Sequence, residues 1–352
     1  MKPLTLWQLP ALAALEHGGA DALGQAEFDF SSNANAAGPL PSVAAAVSAA
    51  SRRSYPDSGY RALRQHLGAW HGVAAERIVM ATSASEFIHR LTLAAVRWRG
   101  VRRVLAPCPG YGDYAAAARA AGLAVAGYER LAELVPSDFA DARALVWITE
   151  PASPSGSSGL AEWPAWLARA DGGGALVALD LAYQPLRFDG RELPAAVDNA
   201  WQLWSPNKAC GLTGVRAAYA IAPGGGEAVA ATLRAMAPGW VVGADGVALL
   251  SSFASPQARA ELAMQRALLQ AWRAMLVRQL EARGWRVEAK ASVTPFFLAR
   301  PPAALDHAAL RGCGIKLRKL DRLGLPGWVR VAAQRPAAVA ALGRVLDWGR
   351  MA

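Results

Sequence analysis

The sequence is poor in the residues that cross-link a small fold or hold a metal. Only three of its 352 residues are cysteines and none forms a Cys-x-x-Cys pair, which argues against a disulfide scaffold and against a zinc site of local ligands. The five histidines are scattered, so we predict no metal site. No apolar run reaches the roughly 18–20 residues of a membrane span, and Met1-Lys2-Pro3 does not open a signal peptide. We therefore expect a soluble, cytoplasmic protein without a membrane partner.

Lysine is also scarce. It accounts for only five of the 37 basic residues, so arginine supplies nearly all of the formal net charge of +10. The arginines are spread along the whole chain, whereas nucleic-acid binders usually concentrate their charge on one element or tail. A diffuse positive field favours an anionic small molecule, and we expect such a substrate rather than nucleic acid.

Short apolar runs alternate with alanine-rich helical stretches along most of the chain. Runs without polar alternation, separated by helices, are typical of a parallel sheet that is covered on both faces. The predicted strands are residues 78–80, 104–106, 145–149, 175–179 and 200–204, followed by 285–288, 294–298, 315–318 and 328–333. We also predict helices at 10–16 and 258–283, a helix N-cap at Asp57-Ser58 and a helix break at 172–174.

The pattern predicts an α/β protein with a large domain of mainly parallel sheet and a smaller α+β domain built from both termini. We expect residues 1–49 to join the small domain, residues 50–250 to form the large domain, and residues 251–352 to complete the small one. Reactive groups of such sheets gather at the carboxyl ends of the strands. The residues that follow each predicted strand are therefore the first candidates for a site.

Five consecutive strand ends carry groups suited to one site. Residues 82–86 open a helix with small and hydroxyl side chains, which suits a phosphate. The next four strands are followed by Tyr111, the turn at 150–156, Asp180 with Tyr183, and Lys208. Each of these groups, taken alone, is equally compatible with a structural role as a helix cap, a turn residue or a packing residue. Lys208 is harder to dismiss, because it is the only lysine between Lys2 and Lys290 and lysine, unlike arginine, can lose its proton and form an imine.

Four motifs, taken in their order along the chain, resemble a known family. Residues 55–64 are similar to a YPD-x-x-YxxLR segment, residues 180–183 to a DEAY strand end, residues 205–216 to an SxxK…GLxGLR block, and residues 329–331 to a segment with a substrate-binding arginine. These motifs are typical of fold-type-I enzymes that use pyridoxal 5′-phosphate (PLP), in the aminotransferase class I/II family. Within it, the chain is most similar to threonine-phosphate decarboxylases and histidinol-phosphate aminotransferases.

The resemblance implies the type I PLP-dependent transferase fold, with PLP bound by the large domain. Lys208 would attach the cofactor, and Asp180 would pair with the pyridine N–H and keep the ring protonated. Tyr111 would stack on the ring, and Tyr183 would donate to its phenolic oxygen. The cofactor phosphate would be held by Ala84, Ser85, Ser205 and Arg216. Tyr55 would reach the cofactor phosphate of a neighbouring subunit, so the family implies a homodimer.

The same resemblance implies a substrate that carries a phosphate. Arg330 would bind the carboxylate of the substrate or another anion, and Asn33 would line the substrate pocket. The segment around His17 resembles the amino terminus of threonine-phosphate decarboxylases of cobalamin biosynthesis, where it lies by the substrate phosphate. Arg318 matches an arginine that binds a substrate phosphate in both subfamilies. The simpler interpretations are a turn cap for His17 and a surface strand residue for Arg318.

We therefore expect first an enzyme of the threonine-phosphate decarboxylase type. The alternative is a transaminase of the histidinol-phosphate type, and the second alternative is a non-catalytic PLP-binding or nucleic-acid-associated regulator. The two reactions differ in which bond at the substrate Cα is held perpendicular to the ring. The sequence does not report that angle.

Three positions depart from the family pattern. In the turn N-P-x-N-P-T-G, Glu150 replaces the first Asn and Ser153 replaces the second, whose side chain bonds the phenolic oxygen in the family. Asn207 stands before the lysine, where the family carries a small hydroxyl residue. Because serine is shorter than asparagine, Ser153 either changes the electronic environment of the cofactor or leaves room for a water molecule.

Overall fold

The computed structural model describes residues 17–134, 143–163, 165–167 and 175–348. The helix predicted at 10–16 and the break predicted at 172–174 lie outside these ranges. The strands are β1 (Phe28–Asp29), β2 (Ile78–Ala81), β3 (Arg103–Pro107), β4 (Ala124–Tyr128), β5 (Ala144–Thr149), β6 (Leu176–Asp180), β7 (Trp201–Trp204), β8 (Ala218–Ile221), β9 (Arg286–Glu288), β10 (Phe296–Arg300), β11 (Ile315–Lys316), β12 (Arg318–Lys319) and β13 (Val329–Ala332). The α-helices with described bounds are α1 (Pro41–Ala49), α2 (Arg61–His71), α3 (Ala84–Arg99), α4 (Gly112–Ala120), α5 (Glu227–Ala235), α6 (Ala244–Phe253), α7 (Pro256–Glu281), α8 (His307–Gly312) and α9 (Pro336–Trp348).

A seven-stranded sheet forms the centre of the fold, in the order β2-β8-β7-β6-β5-β3-β4. Strands β3 to β7 run parallel to one another, and β8 runs antiparallel between β2 and β7. The expected α/β architecture with a mainly parallel sheet is confirmed. The sequence analysis missed β4 and β8, because their alanine-rich sequences resemble the helical stretches around them.

Helices cover both faces of this sheet. All six residues of β5 are buried, which explains why the central strands lack polar alternation. On one face, α3 and α4 pack Phe87 and Tyr114 into the core. On the other face, α2 and α6 contribute Leu67 and Leu250. The sheet is therefore a rigid platform from which the strand ends project.

The C-terminal part forms a second, antiparallel sheet in the order β12-β13-β10-β9. The helix predicted at 258–283 is α7, which begins after the N-cap Ser255 and buries Leu262, Leu269, Leu276 and Leu280 along one stripe. Trp272 of the same helix is only half-buried. None of the helices in the described ranges is both long and apolar enough to cross a lipid bilayer.

Residues 315–318, predicted as one strand, form two strands in different sheets. β11 pairs in parallel with β1 near the N-terminus, whereas β12 pairs with β13. The buried side chain of Leu317 lies between them. This change of partner places Arg318 directly opposite Arg330 in the register of the small sheet.

The predicted N-cap at Asp57-Ser58 is wrong, since α2 begins after Tyr60, whose backbone is left-handed at φ 47°. Asp57 instead closes the preceding turn, accepting the N–H groups of Gly59 at 3.2 Å and Arg61 at 2.9 Å. A carboxylate two to four residues upstream satisfies these donors without being the cap itself. Tyr55 therefore lies in an exposed surface segment that precedes α2.

Candidate active site

The carboxyl ends of the strands open into a cavity of about 430 Å³. The residues that line it come from segments distant in sequence, as expected for the strand-end edge of an α/β sheet. Every residue predicted for the site lines this cavity except Tyr55. The lining set includes Ala84, Ser85, Tyr111, Ser153, Asp180, Tyr183, Ser205, Lys208, Arg216, Arg318 and Arg330, with His17 and Asn33 from the N-terminal segment.

Asp180 is the buried acid of the cavity, at the end of β6 and 4% exposed. Its carboxylate accepts the hydroxyl of Tyr114 at 2.7 Å and the backbone N–H of Ala182 at 3.0 Å. Burial raises the pKa of Asp180, while the positive charge of Lys208 and the bond from Tyr114 oppose the rise. A carboxylate held in this way is suited to accept a hydrogen bond from an N–H group of a ligand in the cavity.

Lys208 lies half-buried in the loop after β7, with its Nζ 5.3 Å from the centre of the Tyr183 ring. Backbone contacts hold the loop, since the Lys208 carbonyl accepts the N–H of Asn35 at 2.9 Å. Asn207, one of the departures from the family pattern, braces the same loop. Its amide donates to the carbonyls of Thr213 and Val215, both at 3.4 Å, and its side-chain oxygen accepts the Ser205 hydroxyl at 3.1 Å.

One side of the cavity offers donors for an anion. Ala84 and Ser85 are the first residues of α3, where backbone N–H groups have no partner inside the helix and the helix dipole favours negative charge. The Ser85 hydroxyl lies 2.9 Å from that of Tyr111, which donates to Asp113 at 2.7 Å. Arg216, exposed at the mouth, adds a guanidinium to this side. Such a set of donors suits a phosphate monoester.

A second group of cations, Arg318 and Arg330, lines the same cavity. Arg330 donates to the carbonyl of Ser31 at 2.7 Å and to the hydroxyl of Ser153 at 3.3 Å. Burial lowers the pKa of the Arg330 guanidinium, and the neighbouring charge of Arg318 lowers it further. Two guanidinium groups facing one cavity favour a ligand with a negatively charged group, because that group relieves their mutual repulsion.

The N-terminal segment completes the wall. Asn33 donates from Nδ2 to the Tyr183 hydroxyl at 3.1 Å. His17 is exposed, with its ring 6.2 Å from that of Tyr111. A Cβ on Gly18 would lie 2.3 Å from the carbonyl oxygen of Ser31, so glycine is required for this close approach.

Tyr55 does not reach the cavity of its own chain. It is 77% exposed and stacks on Trp240 with ring centres 4.3 Å apart. The indole N–H of Trp240 donates to the carbonyl of Pro56 at 3.1 Å. The aromatic pair thus projects from the surface in a fixed arrangement.

Sequence reasoning missed Tyr114, which orients Asp180. Tyr114 follows Tyr111 by one turn of α4, and it is wholly buried between the sheet and that helix. Its hydroxyl contacts both Asp180 and the Thr149 hydroxyl, the latter at 2.9 Å. The i, i+3 spacing of two tyrosines after a strand end was the available signal.

The chemistry of the cavity fits PLP. It combines a lysine amine, a buried carboxylate, two tyrosine rings and a cluster of anion donors, which are the groups that an aldehyde, a pyridine N–H, an aromatic ring and a phosphate would require. Among the described residues, no group of three or more His, Cys, Asp or Glu side chains is placed to hold a metal ion.

Comparisons with known proteins agree with this chemistry. The family model for aminotransferase class I and II matches residues 26–342. A histidinol-phosphate aminotransferase of Haloferax volcanii is 30% identical over 343 residues, which cover 90% of this chain and 89% of that protein. The structure of histidinol-phosphate aminotransferase from Sinorhizobium meliloti in complex with PLP matches with a TM-score of 0.76 at 20% identity, over 90% of each chain. L-threonine-O-3-phosphate decarboxylase from Porphyromonas gingivalis matches with a TM-score of 0.76 at 21% identity, over 92% of this chain and 99% of that chain.

The structural matches are of low identity and show the fold, which is the type I PLP-dependent transferase fold that the motifs implied. The family model and the Haloferax relative each span most of the sequence. This chain therefore belongs to the aminotransferase class I and II family, whose members are PLP-dependent enzymes.

Proposed function

We propose that the cavity binds PLP on Lys208 and transfers the amino group of a small phosphorylated amine, in the manner of a histidinol-phosphate aminotransferase. The observation that carries this proposal is the presence of Lys208, Asp180 and the pair Arg318 and Arg330 in the wall of one cavity. The names of the relatives support amino-group transfer over the decarboxylation that we expected first. A cytoplasmic location stays a prediction.

Each side chain has a stated task in this proposal. Asp180, ionised and oriented by Tyr114, accepts the pyridine N–H, and bound PLP then supplies an electron sink for the bond that breaks at the substrate Cα. Tyr183 donates to the phenolic oxygen, and Tyr111 covers one face of the ring. Lys208 Nζ, released when the substrate amine takes its place, would take up and hold the proton from the substrate Cα. The cofactor phosphate is held by Ala84, Ser85, Ser205 and Arg216.

The substrate side is assigned to the second group of cations. Arg318 takes the phosphate, and Arg330 takes a carboxylate of the substrate or of the amino acceptor, since a planar guanidinium binds both kinds of anion in a fork. Asn33 lines the pocket beside Tyr183. Ser153 is too short to replace the family asparagine, and its bond to Arg330 supports a role in orienting that arginine instead.

We further propose that the active unit is a homodimer. The exposed Tyr55, which stacks on Trp240, supports this, because its side chain is accessible to a second copy of the chain.

Decarboxylation of threonine phosphate is the second candidate. It is favoured by one observation, that His17, Gly18 and Gly19 line the cavity, as the resemblance to threonine-phosphate decarboxylases implied. Both candidates use the same cofactor and the same lysine, and they differ in how Arg330 orients the substrate.

The two reactions are distinguished by their products. PLP-loaded enzyme is incubated with histidinol phosphate and 2-oxoglutarate, and separately with O-phospho-threonine. We expect glutamate and a phosphorylated ketone from the first mixture. Release of CO2 with aminopropanol phosphate from the second mixture alone would establish the second candidate, and the absence of turnover in both would contradict both.

Arg318→Gln is expected to raise KM for histidinol phosphate about 10- to 100-fold, because a hydrogen bond to a charged group contributes about 1.5–3 kcal/mol. KM for histidinol, which lacks the phosphate, should change little. Steady-state kinetics with both substrates measure this difference. Arg300→Gln, at an exposed arginine of β10 outside the cavity lining, is the control. Equal losses for the two substrates would show that Arg318 does not bind the phosphate.

A further inference from the structure

Glu150, Ser158, Arg187 and Asp189 form an ionic cluster in which Glu150 and Arg187 are buried and Asp189 reaches the surface. Glu150 and Arg187 form an ion pair in which each side chain is only 1% exposed. Arg187 also donates to the two carboxylate oxygens of Asp189 at 2.9 and 2.7 Å, and to the Ser158 hydroxyl at 3.1 Å. The second oxygen of Glu150 accepts the N–H of Gly159 at 2.8 Å. Both oxygens of the buried carboxylate are therefore satisfied.

The ionic cluster joins two loops that carry cavity residues. The loop of residues 150–159 carries Ser153, whose hydroxyl accepts from Arg330 at 3.3 Å. The loop of residues 181–189 carries Tyr183, whose hydroxyl accepts from Asn33. The Arg187 guanidinium donates to Glu150 and Ser158 of the other loop and to Asp189 of its own. Because these bonds are directed, it fixes the distance between the loops more firmly than packing alone.

A third segment is fastened to the same loops. Val293 donates its N–H to the carbonyl of Gly156 at 2.8 Å, and Phe188 donates to the carbonyl of Val293 at 2.8 Å. A Cβ on Gly156 would lie 2.3 Å from the Ser292 hydroxyl, so the segments are in close contact. A displacement of either loop would therefore be transmitted to residues 292–296, which lead into the small sheet.

Glu150, which begins the first of these loops, is one of the three residues that depart from the family pattern. An asparagine at position 150 could not form the ion pair, whereas Glu150 forms it with an arginine that is itself fully enclosed. Breaking a buried ion pair by removing one partner is strongly unfavourable. The pair therefore holds a single arrangement of the two loops.

We propose that Glu150, acting through Arg187, is a positioning residue that holds the Ser153 and Tyr183 loops against the PLP ring and so sets the protonation equilibrium of bound PLP. The proposal rests on the placement of PLP given above. A hydrogen bond from Tyr183 stabilises the ionised phenolic oxygen. A firmly placed Tyr183 hydroxyl therefore lowers the pH at which bound PLP takes up a proton. A Tyr183 hydroxyl that is held less firmly raises the pH at which bound PLP takes up that proton.

The test titrates the visible absorbance of the PLP-loaded protein against pH in the wild type, Glu150→Gln, Arg187→Met and the double variant. Glu150→Gln is expected to raise the midpoint by about 0.5 unit or more, a threefold change in proton affinity. The double variant should shift it by less than the sum of the two single shifts, because the two residues act as one unit. Glu288→Gln, in the exposed ion pair with Arg286, is the matched control and should leave the midpoint unchanged.

Thermal unfolding of the same proteins separates positioning from simple support. If Arg187→Met fails to fold, Glu150→Gln and Arg187→Lys carry the test, since each retains part of the cluster. A lower unfolding temperature with an unshifted absorbance midpoint would overturn the proposal. A shifted midpoint in a protein whose wild type turns over neither phosphorylated substrate would uphold it and would refute the substrate assignment alone.

Discussion

Replacing Lys208 with alanine is expected to remove the visible absorbance of PLP bound through its aldehyde and to lower kcat by on the order of 10⁴-fold or more, the scale seen when an essential catalytic group is deleted. The physical reason is that Lys208 is the only lysine of the cavity wall among the residues that the structure describes. Absorbance spectra and turnover of the reconstituted variant measure both effects.

Two further variants make this prediction specific. Lys208→Arg keeps the positive charge but cannot form a carbon–nitrogen double bond with an aldehyde under ordinary conditions, so it should behave like the alanine variant. Lys290→Ala removes an exposed lysine outside the cavity and should be indistinguishable from the wild type. Retention of the absorbance in Lys208→Ala would mean that PLP is attached elsewhere.

Asp180→Asn is expected to lower kcat by about 10²–10³-fold, the scale on which loss of one preorganised electrostatic partner slows a reaction. Asparagine keeps the size of the side chain but not its charge, so the pyridine nitrogen would no longer be held protonated and the ring would accept electrons less well. KM should change much less than kcat, because Asp180 is buried and is proposed to contact the cofactor, whereas Arg318 and Arg330 are proposed to contact the substrate. A variant with full kcat would contradict this role.

Although Asp180→Asn should slow the reaction, it should stabilise the PLP-free protein against unfolding. Burial raises the pKa of Asp180 above its ordinary value, so the folded state holds a proton that the unfolded state has lost. The stability that this proton contributes is complete below about pH 4, the ordinary range of an aspartic acid, and is lost as the pH rises through the raised pKa. Asp180→Asn cannot ionise and escapes that loss.

The free energy of unfolding of PLP-free Asp180→Asn should therefore exceed that of the wild type at neutral pH, and the difference should vanish near pH 4. Denaturant unfolding of both proteins at the two pH values measures it. A wild type that is the more stable at neutral pH would show that Lys208 and Tyr114 more than offset the burial of the charge.

The sequence was informative where a residue type is costly or rare. Lys208 could be identified because arginine replaces lysine almost everywhere else in this chain. Asp180 could be identified because it follows a predicted strand in a segment that resembles the DEAY strand end of the family. Their common position at the strand ends followed from the topology of parallel sheets. These features do not depend on which other segments pack against them.

Other features depend on contacts between distant segments and could not be predicted. Strand β8 is recognisable only through its antiparallel pairing with β2 and β7. The two-sheet course of residues 315–319 depends on which neighbour each residue meets. The sequence showed Glu150 only as a departure from the family turn. Its ion pair could not be predicted, because its partner Arg187 lies 37 residues away.

The central claim is that Lys208 is the residue that holds the cofactor. Its most direct test is to reduce the PLP-loaded wild type with borohydride, digest it and locate the added mass by peptide mass spectrometry. The account predicts that the peptide containing Lys208 carries the whole of the label. Label on Lys290, Lys316 or Lys319, or no label at all, would contradict it.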